Sequence, residues 1–102
     1  MSATRIIKEI DYLLFKEQIE NKNVIVNPHA LFRLSEAQRK VYKEDELIET
    51  LSKEKPIFIG LQQNNRYAAF YSRKLGFLRI MFSIGKEIEI ITFTIQDNIP
   101  KI

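Results

Sequence analysis

The stretch PIFIGLQQNNRYAAFYSRKLGFLRIMFSIGKEIEIITFTI, residues 56–95, decides the fold. Its apolar residues recur at every second position. Leu78, Ile80, Phe82 and Ile84 alternate with Phe77, Arg79, Met81 and Ser83, and Ile88 and Ile90 alternate with Glu87 and Glu89. A period of two is the signature of strands with one face against a core. Asn64-Asn65 and Gly85-Lys86 are tight-turn chemistry, because Asn and Gly tolerate positive φ. Four strands joined by short turns make an antiparallel meander.

Upstream of this stretch the period is helical. Ile6, Ile7, Ile10, Leu13 and Leu14 form an apolar stripe that predicts an amphipathic helix over residues 4–20, ended by Asn21-Lys22-Asn23. Val24-Ile25-Val26 is a short β-branched run. Asn27-Pro28 then signals a helix start, since Asn caps well and Pro suits the first helical position. That helix is expected from Pro28 to about Lys40, with Ala30, Leu31, Leu34 and Ala37 inward. A second short helix is expected over residues 43–56, with Leu47, Ile48 and Leu51 as its apolar face and Pro56 near its end. The expected class is α+β: N-terminal helices followed by a four-stranded antiparallel meander.

The totals bound the function. The chain has 102 residues, enough for one domain. It has no cysteine and a single histidine, so disulfide frameworks and cysteine- or histidine-rich metal sites are not expected. No Gly-rich phosphate loop or nucleophile elbow occurs, and no nucleotide or metal cofactor is expected. No apolar run reaches the length of a signal peptide or membrane span, so a cytoplasmic protein without membrane association is the default. A net charge of +3 permits a nucleic-acid partner without requiring one.

The single histidine, His29, opens the second helix, and Arg33 follows four residues later on the same helix face. One reading is a half-buried polar residue beside a solvated arginine. The other is half of a site that handles phosphate, and the meander offers it further cations. Arg66, Arg73 and Arg79 lie along two successive strands, with Tyr67 and Tyr71 among them. Arg79 is the most informative. A mid-strand arginine between Leu78 and Ile80 needs a partner, either an anionic ligand or Glu89 on the next strand. Histidine and tyrosine move protons, and arginines clamp phosphate, which together suit metal-free RNA cleavage.

PHALFRL (28–34), KEDELIETL (43–51), FLRIMF (77–82) and GKEIEIITFTI (85–95) together resemble a family of small RelE-like domains of unknown function. The resemblance covers about residues 24–95. It matches His29, Ala30 and Arg33, then Glu44 and Asp45, then Leu78, Arg79 and Ile80, then Ile91 and Thr92. Such domains are similar to the RelE/ParE toxins, within the barnase–EndoU–colicin–RelE fold. The resemblance implies one RelE-like domain over residues 1–102, with residues 1–22 as an additional N-terminal helix.

It further implies a metal-independent endoribonuclease of toxin–antitoxin type, acting on free or ribosome-bound RNA by 2′-OH attack and bound by an antitoxin protein. His29 would act as general acid or base, Arg33 and Arg79 would hold the phosphate, and Thr92 would line the site. Tyr67, Tyr71 and Arg73 are the further candidates for substrate binding. Two other readings stand beside it. One is a non-catalytic nucleic-acid- or protein-binding module on the same fold. The other is an interaction domain that dimerises through the N-terminal helix.

Overall fold

The computed structural model describes residues 5–32, 43–74 and 76–99. The meander is present as β3 (Phe58–Gln62), β4 (Tyr67–Arg73), β5 (Gly76–Ile84) and β6 (Ile88–Gln96), each antiparallel to the next. The first turn carries Asn65 at φ 66°, the left-handed conformation that Asn accepts readily.

The sheet is larger and mixed, which corrects the four-stranded expectation. Two short strands flank the meander, β1 (Ile6–Glu9) and β2 (Val24–Val26), giving the order β1-β3-β4-β5-β6-β2. β1 pairs antiparallel with β3, and β2 runs parallel to β6 with Val24, Ile25 and Val26 opposite Ile88, Glu89 and Ile90. Residues 6–9 are therefore strand where the apolar spacing predicts helix. Only Ile6 of this strand is buried, and its register with β3 shifts between Ile6 and Lys8. Gly60 admits Ile6: a Cβ there would lie 2.5 Å from the Ile6 Cγ2 atom.

The helix begins later than the spacing predicts, as α1 (Tyr12–Glu20). Its inward residues are Tyr12, Phe15 and Ile19, whereas Leu13 and Leu14 of the expected stripe are 66% and 60% exposed. Positions 12, 15 and 19 keep the helical period, but with a phase set after the strand ends. α1 spans about 13 Å at 1.5 Å per residue. With its flanking residues it carries the chain from the β1 edge to the β2 edge, about five strand spacings or 24 Å away.

α2 (His29–Phe32) starts where Asn27-Pro28 predicts, and the Asn27 Oδ1 atom accepts the His29 backbone N–H at 2.9 Å. Ala30 is buried and Leu31 partly so, as expected; Arg33, Leu34 and Ala37 lie outside the described residues. α3 (Glu44–Lys53) buries Leu47 and Leu51. Its acidic first turn and Lys53 in its last turn match the helix dipole.

The main core lies between the helices and one face of the sheet. Phe15, Leu47 and Leu51 pack on Ile59, Ala69, Tyr71, Leu78, Ile80, Phe82, Ile88, Ile90 and Phe93. The far face holds a smaller cluster of Ile6, Ala68, Phe70 and Met81, with Phe58 and Ile99 packed against it. Partial burial of Ile99 contributes less than the roughly 1.5–3 kcal/mol of burying such a side chain completely.

One irregularity assigns residues to these faces. Met81 pairs with Thr92 but Phe82 pairs with Ile90, so β6 holds one extra residue, Ile91. Strict alternation from Ile88 would aim Thr92 and Thr94 at the helices. The bulge turns Phe93 to the core and places Thr92 and Thr94 on the far face with Arg79. Among the described residues, no helix is long and apolar enough to cross a membrane.

Candidate functional site on the far face of the sheet

Gln62 and Arg79 are the buried polar side chains of the described residues, and they bond each other. Arg79 stands in the middle of β5, opposite Phe70 of β4 and Thr94 of β6. It is 7% exposed. Its Nη2 donates to the Gln62 Oε1 atom at 2.6 Å, and its Nη1 to the Gln96 Oε1 atom at 3.0 Å. The guanidinium carbon lies 5.2 Å from the centre of the Phe70 ring. The side chain thus reaches across β4 to β3 on one side and to the end of β6 on the other.

Each glutamine is itself held. Gln62 donates from Nε2 to the Asn64 Oδ1 atom at 3.1 Å, and that oxygen also accepts the Arg66 backbone N–H at 3.0 Å. The turn therefore fixes which end of the Gln62 amide faces Arg79. Gln96 donates from Nε2 to the Asn98 carbonyl at 3.4 Å. Gly76, at φ +146°, lets the Gln96 backbone approach: a Cβ there would lie 2.5 Å from the Gln96 carbonyl oxygen.

Gln62 and Gln96 each accept through an amide oxygen, and these two bonds orient the guanidinium fork. Burial lowers the Arg79 pKa from its ordinary value. An arginine starts so far above neutrality that it remains a cation there.

Glu89 is not placed to be Arg79's cross-strand partner. Glu89 faces Ser83, four residues along β5 from Arg79, or about 13 Å. Its Oε2 atom accepts instead from the Asn27 Nδ2 at 2.9 Å. Asn27 thereby ties the start of α2 to β6 twice, since its backbone N–H also donates to the Ile90 carbonyl at 2.8 Å.

The sheet sorts the candidates read from the sequence. Arg79 and Thr92 share the far face. His29 is exposed at the start of α2, a helix that follows β2 and packs against β6, the strand next to β5. Arg33 lies outside the described residues.

Tyr67, Tyr71 and Arg73 belong to the opposite alternation of β4. Tyr67 stacks on Phe82 with ring centres 5.7 Å apart. Tyr71 is buried in the main core, and its hydroxyl has no hydrogen-bond partner among the described residues. Burial, reinforced by Glu54, pushes its pKa well above the usual phenol range. Arg73 is engaged by both carboxylate oxygens of Glu54, at 2.9 and 3.0 Å. These three are thus separated from Arg79 by the sheet itself.

The residues missed from sequence are Gln62, Gln96 and Thr94. Extending the alternation of β3 from Phe58 through Gly60 reaches Gln62, a usable signal. Gln96 and Thr94 depend on the bulge. The far face thus offers an oriented cation, hydroxyls and aromatic carbon, a chemistry suited to a phosphate ester. A cleft of about 460 Å³ by α3, lined by Glu46, Glu49, Thr50, Lys53 and Glu54, has the opposite charge sign. Among the described residues no three His, Cys, Asp or Glu side chains gather as a metal site.

No family model matches the chain, and it matches no curated protein and no solved structure.

Proposed function

We propose that the chain is a RelE-like, metal-independent endoribonuclease whose substrate phosphate meets Arg79 on the far face of the sheet. The observation that carries the reading is the Gln62–Arg79–Gln96 clamp, in which two amide oxygens hold a buried guanidinium in one orientation. Thr92 and Thr94 lie on the same face, next to Arg79's strand.

In this reading the 2′-OH attacks the adjacent phosphorus and the 5′-oxygen leaves. The products are a 2′,3′-cyclic phosphate and a 5′-hydroxyl. Arg79 and Arg33 hold the phosphate as its charge grows, and His29 takes a proton or returns one. RNA, free or on the ribosome, is the substrate, and an antitoxin protein in the same cytoplasm is the regulator. The exposed Leu13 and Leu14 of α1 suit a homodimer contact.

RNA incubated with the protein should acquire 2′,3′-cyclic phosphate ends, detectable by end-group labelling. His29→Ala should abolish them at unchanged melting temperature. Absence of cleavage on both free and ribosome-bound RNA would sink the enzymatic reading.

A specific observation favours a non-catalytic binding module as the second reading. Arg79 is almost covered, and Tyr67, Tyr71 and Arg73 lie on the other face. RNA binding that weakens steeply with salt, without cleavage, is its expected result.

A further inference from the structure

The chain turns back on the sheet as it leaves β6. Asp97 and Asn98 are exposed bends, yet Ile99 packs against the far-face cluster that contains Phe70. Phe70 is also the ring under the Arg79 guanidinium. Gln96 joins the two, since its amide oxygen accepts from Arg79 and its amide nitrogen donates to the Asn98 carbonyl. The segment and the cation are therefore coupled by one side chain and share one patch of sheet.

We infer that residues 97–99 are an autoinhibitory strap, which lies over the Arg79 end of the far face and must lift before a phosphodiester reaches the guanidinium. The inference rests on the proposed phosphate-handling role of that face. Among the described residues the anchor is one half-buried isoleucine, Ile99, after two exposed residues, and the hydrogen bond to Asn98 is the longest of the network. These described contacts are of a strength that can open reversibly, which an on–off element requires. An incoming phosphate competes for the same guanidinium donors that Gln96 now occupies, so lifting the strap and seating the anion are linked events.

The test uses the full chain with Ile99→Asp, which places a charge on the apolar patch. The first readout needs no RNA: labelling of Arg79 by phenylglyoxal, followed by peptide mass spectrometry. Arg73, held by Glu54, serves as the sentinel for unfolding. Labelling of Arg79 should accelerate about tenfold while Arg73 stays unchanged, the response expected if the open population rises from a few per cent to a major fraction. RNA binding should tighten in the same variant.

Unchanged labelling of Arg79 overturns the strap and leaves the RNA reading intact. Faster labelling with no RNA binding by either protein supports the cover and overturns the RNA reading instead. If Ile99→Asp also exposes Arg73, the milder Ile99→Ala decides, with the same ordering expected.

Discussion

The two faces of the sheet are built from the same strands and follow different rules. On the helix face, Leu78, Ile80 and Phe82 meet Phe15, Leu47 and Leu51, and the filling is aliphatic and aromatic almost throughout. On the far face, apolar packing is confined to a small cluster, and beside it runs a chain of amides from Asn64 through Gln62, Arg79 and Gln96 to Asn98. One face secures the fold by volume, the other by direction. The contrast separates residues whose loss costs stability from those whose loss costs binding.

Breaking the helix face should produce the largest effect. Phe82→Ala removes the ring that touches both Phe15 and Tyr67 and should cost about 3–5 kcal/mol by urea unfolding. On the far face, Gln62→Leu strands an Arg79 donor in a buried place and should cost about 1–3 kcal/mol. Gln62→Glu sharpens the contrast. It supplies a carboxylate to Arg79, so stability should hold while RNA binding weakens. The slope of log affinity against log salt should fall by about 0.7 for a single strand, the loss of one phosphate contact. If stability and affinity fall together in Gln62→Glu, the division between the faces is wrong.

Gly60→Ala should cost about 1–3 kcal/mol, because the added methyl must displace Ile6. Hydrogen exchange should locate that loss in β1, with the meander protected.

Tyr71→Phe should have the smallest effect at neutral pH, within about 1 kcal/mol, since the hydroxyl it removes has no described partner. Its effect should appear in alkali. The folded-state pKa of Tyr71 is raised, so its contribution is complete below the ordinary phenol value, about 10, and is lost as pH climbs beyond it. The variant should lose less stability than the parent above that pH, by up to about 1.4 kcal/mol per unit. Denaturant melts across the alkaline range would show it.

Much of this was legible in the sequence for physical reasons that also mark where legibility stops. Asn64-Asn65 and Gly85-Lys86 announce turns locally, and seven- to nine-residue strands show their alternation clearly. β1 and β2 have four and three residues, too few for a period of two to stand out. Ile6 and Ile10 also happen to be four apart, which imitates a helix. The adjacent pair Ile90-Ile91 was the visible trace of the bulge, but only pairing with Met81 and Phe82 reveals its consequence for Thr92 and Thr94. Arg79 stood out as a charge in an apolar strand; its partners did not, because Gln62 and Gln96 each lie 17 positions away and reach it only through the folded register.

The Arg79 clamp also bears on how the chain finds that register. Slipping β5 by one residue against β4 would drive the guanidinium into the Leu78, Ile80 and Phe82 side of the sheet and bring an isoleucine or leucine to the amides. A buried cation among aliphatics is among the most costly errors a sheet can make. Arg79 should therefore act as a check during assembly: the two hairpins that β5 forms, with β4 and with β6, close productively in one alignment, and the wrong one is disfavoured. Replacing it with leucine would remove that check, and refolding should then become heterogeneous, with a misregistered population absent from the parent.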